Sequence, residues 1–151
     1  MLHVALWEPE IPPNTGNIAR LCAATGAVLH LIGRLGFRLD DRHLRRAGLD
    51  YWPHVAIRQH ATFDAFASAL DGARVIPLSS KTERAYTRIG YRDGDCLLFG
   101  SESKGLPETV LARYADTAVT IPMPAGRARS LNLATAVGIV LYEALRQLHG
   151  W

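Results

Sequence analysis

The 151-residue chain has only two cysteines, Cys22 and Cys96, both inside apolar segments and without C-x-x-C spacing. This excludes a disulfide framework and a thiolate zinc site, and reads as two buried free thiols in a reducing compartment, the cytoplasm. No apolar stretch reaches the roughly twenty residues a membrane span needs. The longest, near 131–142, is broken by Asn132 and Thr135. The amino terminus, MLHVALWEPE, has neither a basic leader nor a long apolar core, so no signal peptide is expected. Neither sign of charge dominates, since the formal net charge of +3 permits an anionic partner such as nucleic acid without demanding one.

Several chemical signatures are missing as well. No G-x-G-x-x-G follows the first strand-like run, and GSESKGL (100–106) has glycines at the Walker spacing but Leu106 where the lysine must stand. The same segment misses the G-x-S-x-G of a hydrolase elbow by one position. The histidines, at 3, 30, 43, 54, 60 and 149, never fall at a ligand-pair spacing on one helix, so no metal site is expected. There is no internal repeat, low-complexity tract or linker, and a chain of this length buries a sufficient core as one domain, residues 1–151.

What is present is alternation. Strand-like runs recur at HVALWE (3–8), VLHLIG (28–33), HVAIRQ (54–59), RVIPLSS (74–80), CLLFG (96–100) and AVTIPM (118–123). Helical patterns lie between most of them: NIARLCAAT, DDRHLRRAGL, TFDAFASAL and PETVLARY, with LNLATAVGIVLYEALRQL last. Strands alternating with helices imply right-handed crossovers, hence an α/β fold with a mostly parallel sheet covered on both faces. Gly26 suits a left-handed helix end, Thr62 and Asp40 suit helix starts, and Pro107 suits a first helical position. On the last helix Ala134, Val137, Gly138, Leu141, Leu145 and Leu148 form one stripe, and Leu133, Ala136 and Val140 are apolar on the other side. A helix apolar on two faces has two things to cover, the sheet and a second copy of the chain, so a homodimer is expected.

Three polar loops, each directly after a strand-like run, remain: PEIPPNTGN, SESKGLPE and PAGRARSLN. In an open parallel sheet, loops leaving the carboxyl ends of strands build the site, and these three can converge there. Asn14 or Asn17 suits a helix cap, as do Ser130 and Asn132, whereas Arg127 and Arg129 add charge that capping does not need, and Arg20, three residues beyond Asn17 on the polar side of the helix, is placed to reach over the strand ends. Glu102 follows a wholly apolar strand, and Gly100 and Gly105 allow close backbone approach.

N-T-G-N-I-A-R in the first loop, L-L-F-G-S-E-S-K-G-L-P in the second and I-P-M-x-x-x-x-x-R-S-L-N-L in the third resemble the three motifs of the SPOUT superfamily of methyltransferases. Spacing and length most resemble the small branch that methylates the ribose 2′-hydroxyl of cytidine or uridine at the tRNA wobble position. The resemblance covers essentially the whole chain. It implies a deep trefoil knot in the C-terminal part, dimerisation through the first and last helices, and S-adenosylmethionine as cofactor. Carried onto matching positions, the cofactor pocket involves Leu78, Gly100, Ile121, Met123, Ser130 and Leu131. The resemblance makes Arg20 the catalytic residue, in a family where the matching arginine is proposed as general base. A guanidinium holds its proton at physiological pH, so that role requires a strong perturbation or a substrate phosphate. Asn17 is expected to orient Arg20 or the ribose, Glu102 to fix the second loop, and Ser130 and Asn132 to place cofactor and nucleophile. Contacts to the tRNA anticodon loop fall to Arg129, Lys104 and the cluster Arg42, Arg45 and Arg46, with Tyr142 reaching a partner's site. Two other readings stay open, a catalytically silent RNA-binding factor of the same fold and the same chemistry on ribosomal RNA.

Overall fold

The computed structural model describes residues 1–48 and 52–151. Five parallel strands form one sheet: β1 (His3–Trp7), β2 (Val28–Ile32), β3 (Ile57–His60), β4 (Val75–Pro77) and β5 (Cys96–Phe99), in the order β3-β2-β1-β5-β4. β1 lies at the centre because the chain first winds outward through β2 and β3, then crosses over to β4 and returns to pair β5 with β1. The direction of winding reverses between β1 and β5, which is where a parallel sheet opens a crevice at its carboxyl edge.

Alternation along the strands assigns the two faces. Val4, Leu6, Leu29, Leu31 and Leu97 point to a core closed by α1 (Pro12–Thr25) and α5 (Leu133–His149). Ala5, Ile32, Val75, Cys96 and Leu98 point to a second core under α3 (Phe63–Ala69) and α4 (Glu108–Arg113). The remaining helix, α2 (Arg42–Gly48), packs on α1. Both expected free cysteines are buried, and burial pushes the Cys22 thiol up to about 12, so neither is a nucleophile.

Caps follow the local sequence with two shifts. Gly26 ends α1 at φ +77°, and the Thr62 hydroxyl accepts from the Ala65 N–H at 3.1 Å. At α2, however, Asp41 rather than Asp40 caps, taking the His43 N–H at 2.7 Å, while Asp40 pairs with Arg38. Pro107 stands one position earlier than expected, at the N-cap of α4. α1 begins five residues before the expected NIARLCAAT, because Pro12 and Pro13 occupy its first two positions, where a missing N–H costs nothing. The polar bend of the sequence is thus helix from Pro12 onward.

The expected strand over 118–123 shrinks to two bridged residues. Val119 bonds to Pro77 and Ser79 at 2.9 and 3.0 Å on one edge, and Thr120 bonds to Arg84 and Tyr86 on the other, each at 2.8 Å. The chain near 119 is therefore gripped from both sides by a single excursion, residues 77–86, before Pro122 and Pro124 end further pairing.

One arrangement on the α3 face was not expected. His3, His30 and His60 run in line across β1, β2 and β3, with Nδ1 of His3 at 2.9 Å from Nε2 of His30, and Nδ1 of His30 at 2.9 Å from Nε2 of His60. Phe66 packs edge-on against His30 and His60. His30 is fully buried, and desolvation followed by its two histidine neighbours pushes its pKa down to about 3. Each neutral imidazole has one donor and one acceptor, so the two bonds form together only when all three tautomers point the same way along the row.

Candidate active site

A cleft of about 690 Å³ opens over the carboxyl ends of β1, β4 and β5, at the reversal of winding. Its walls are 78–81 after β4, 99–106 at the end of β5 and beyond, Thr120, Ile121 and Met123, and 129–133 leading into α5; Ile11 and Asn14 enter from the start of α1. All three polar loops of the sequence meet here.

A chain of hydrogen bonds joins them. The Glu102 carboxylate accepts from the N–H groups of Glu10 and Ile11, both at 2.8 Å, and from Nδ2 of Asn14 at 3.2 Å. Oδ1 of Asn14 accepts from Nδ2 of Asn132 at 3.0 Å, and Oδ1 of Asn132 accepts from the Thr135 N–H at 3.1 Å, capping α5. The direction is forced. A carboxylate only accepts, so Asn14 must turn its NH2 toward it and offer its oxygen to Asn132, whose own oxygen then faces the helix. Among the described residues, no hydrogen bond takes the second N–H hydrogen of either amide.

The loops also hold each other reciprocally. Oε1 of Glu10 accepts from the N–H and the hydroxyl of Ser103, at 2.9 and 2.6 Å. These bonds, with Lys104 nearby, hold the Glu10 carboxyl below its usual range. The turn they grip folds back tightly: a Cβ added to Gly100 would lie 2.1 Å from the carbonyl carbon of Gly105. Gly100 is thus glycine because of its own chain.

A family model described as the SpoU rRNA methylase family matches residues 1–142. The chain belongs to that family. It is 50% identical over 149 residues to an Escherichia coli K12 protein named tRNA (cytidine(34)-2′-O)-methyltransferase, covering 98% of this chain and 94% of that one. A structure solved for insights into the 2′-OH methylation of C/U34 on tRNA superposes with a TM-score of 0.95 at 56% identity, over 100% of this chain and 98% of that one. An AdoMet-bound rRNA methyltransferase from Sinorhizobium meliloti superposes with a TM-score of 0.87 at 34% identity, covering 97% of this chain but 56% of that one.

In this SpoU chain the six residues expected at the cofactor, Leu78, Gly100, Ile121, Met123, Ser130 and Leu131, all line the cleft. So do Asn132, Lys104 and Arg129. Arg20 and Asn17 are exposed on α1 and outside the cleft wall. Arg20 stands about 9 Å further along the helix axis than Asn14 and about 120° round it. Tyr142 is exposed on α5 and Arg46 on α2, both away from the cleft, while the Arg45 side chain lies outside the described residues.

Of Asn14 and Asn17, Asn14 is the one that lines the cleft. Buried at the helix start, it bridges loops instead of capping its own helix, whose N-cap Ile11 has no side-chain bond. Sequence reasoning also passed over Glu10, Ser101 and Ser103. The usable signal was Pro12-Pro13, which places the helix start and therefore puts Asn14 on its first turn.

Proposed function

We propose that this chain methylates the ribose 2′-hydroxyl of the wobble nucleotide, cytidine or modified uridine, in the tRNA anticodon loop, with S-adenosylmethionine as donor. The observation that carries this reading is the Glu102–Asn14–Asn132 chain, which fastens all three motif loops around one cleft. The cleft suits the donor. Leu78, Ile121, Met123 and Leu131 supply apolar walls for a purine, main chain at 100–106 supplies polar contacts, and a cofactor without phosphate needs no basic cradle.

When bound, S-adenosylmethionine supplies an electrophilic methyl carbon. The protein's share is mainly alignment. Ser130 and Asn132, at the entry to α5, present a hydroxyl and one amide hydrogen to the cleft. Lys104 and Arg129 on its walls, and Arg46 with Arg45 on α2, hold RNA phosphates. Arg20 and Asn17 face the RNA from α1, Arg20 as a guanidinium that pairs with a substrate phosphate, the phosphate oxygen taking the hydroxyl proton.

The molecule is read as a single domain, 1–151, working in the cytoplasm as a homodimer through α1 and α5, with Tyr142 reaching the partner's site. Tyr142, Leu148 and Trp151 are exposed on or beside α5, which supports that pairing. Hydrogen bonding of Val119 and Thr120 to both arms of the 77–86 excursion supports a knotted path. No helix among the described residues is long and apolar enough to cross a membrane. The E. coli tRNA enzyme is matched over nearly its whole length, whereas the ribosomal RNA enzyme from S. meliloti is matched over only 56% of its chain, which favours tRNA over ribosomal RNA.

The test is methyl transfer from labelled S-adenosylmethionine to tRNA with the modified nucleotide mapped. Wild type is expected to label the ribose of nucleotide 34, and Arg20→Ala to lose transfer by at least about 100-fold while binding cofactor within about threefold of wild type. Cofactor binding lost in proportion to transfer refutes the role given to Arg20. A wild-type protein that binds tRNA but no cofactor would instead be a silent RNA-binding factor.

A further inference from the structure

We infer that Glu10 is a positioning residue of this site: by binding Ser103 it holds the 101–105 turn in the shape that forms one wall of the cleft. This rests on the methyltransferase reading above.

Glu102 grips the first loop from the root of the turn, beside the end of β5, through the backbone of Glu10 and Ile11. That leaves the tip of the turn to other bonds. The turn is closed internally by the Gly105 N–H to the Ser101 carbonyl, at 2.9 Å, and by the Lys104 N–H to the Ser101 hydroxyl, at 3.2 Å. Both bonds fix its curl, and neither fixes where the curl sits relative to α1. The bond pair from Ser103 to Glu10 does. Glu10 itself does not line the cleft, whereas Ser101, Ser103, Lys104 and Gly105 do, so an effect of Glu10 on a ligand passes chiefly through its two bonds from Ser103, with lesser interactions to the Ser101 side chain and the Lys104 charge.

The Glu10 main chain is held independently of its side chain. Besides the Glu102 bond, Gly36 donates to the Pro9 carbonyl at 2.9 Å, and Gly36 packs so closely that a Cβ there would lie 2.9 Å from the Glu10 Cα. Truncating the Glu10 side chain therefore leaves the first loop in place and frees only the tip of the turn. Because the carboxylate is solvent-exposed, its bonds contribute little to global stability, and their loss is expected to register in ligand binding rather than in melting.

The experiment titrates S-adenosylmethionine calorimetrically into wild type, Glu10→Ala, Ser103→Ala, the double variant and Ser103→Thr. Each alanine variant is expected to raise Kd about threefold to tenfold, and the double variant no further than Glu10→Ala alone, because Glu10→Ala already removes the acceptor that Ser103 binds together with its lesser interactions to Ser101 and Lys104. Ser103→Thr, which keeps the hydroxyl, restores binding. The larger share of the loss in turnover falls in KM for the cofactor, and the melting temperature moves by no more than about 2 °C. An unchanged Kd, additive losses, or a fall in melting temperature with KM intact overturns the inference. Glu10→Gln keeps an acceptor oxygen and is expected within about threefold of wild type; a loss as large as alanine's overturns it too. Amide exchange supplies a readout free of ligand: the Ser103 N–H is expected to exchange at least about tenfold faster in Glu10→Ala. Unchanged exchange refutes the clasp even if wild type binds no cofactor, an outcome that would by itself refute the methyltransferase reading instead.

Discussion

At the scale of single residues, the site depends on one group that can only accept. Glu102 takes three donors, two of them main-chain, and its charge sets the direction of every amide as far as the N-cap of α5. Glu102→Gln keeps the shape but replaces one acceptor oxygen with a donor, which faces the Glu10 N–H in one orientation and the Ile11 N–H together with Nδ2 of Asn14 in the other. We expect this substitution to destabilise the protein by about 2 kcal/mol and to weaken cofactor binding at least tenfold. Urea unfolding and calorimetry check this, and a variant matching wild type in both would show that the amide directions are not set by the carboxylate.

At the scale of elements, β1, β2 and β3 carry a pH-dependent liability in the row His3–His30–His60. All three have pKa values lowered by burial, with the nearby Arg58 guanidinium adding to the effect, and His30 is pushed down to about 3. In the unfolded chain each histidine takes a proton below about pH 6.5. The folded state refuses it, so stability is full above that pH and declines as pH falls toward 3. His30 alone contributes a slope of about 1.4 kcal/mol per pH unit over that window. Between pH 7 and 5, where carboxylates stay ionised, His30→Gln is expected to flatten the dependence of unfolding free energy on pH. Equal slopes for variant and wild type would mean that the row titrates freely in the folded protein.

Elements also show what the sequence made legible. Five of the expected strands form within a few residues of their runs, because alternating or continuous apolar residues admit few other burials. The start of α1 was misplaced because Pro-Pro-Asn reads as a bend until the helix is seen to begin on the prolines. The AVTIPM strand was overstated because its pairing depends on the 77–86 excursion, which no local pattern encodes. In α5, Gly138 faces α1 of the same chain, where a Cβ would stand 4.0 Å from the Leu21 side chain.

At the scale of the whole molecule, the exposed apolar residues at the end of α5 carry the expectation of a dimer. Tyr142 is 45% exposed, Leu148 38% and Trp151 66%, with the Trp151 ring stacked on His149 and near Tyr142. Sedimentation is expected to give twice the chain mass, and Leu148→Glu to shift the population toward monomer by placing a charge in an apolar contact. A wild-type monomer at micromolar concentration would remove the dimer from this account.

By itself, the sequence determined the α/β class, the five strand runs and the three motif loops, because these follow from apolar periodicity and from residue types that tolerate tight turns. Only the tertiary structure decided which polar side chains in those loops meet. Glu102 lies 88 residues from Asn14, and Asn132 lies 118 from it, yet hydrogen bonds at about 3 Å join them. Such a match requires the sheet order and the bonding of residues 119 and 120 to the 77–86 excursion to bring the loops together, and nothing in the neighbourhood of any one loop specifies that.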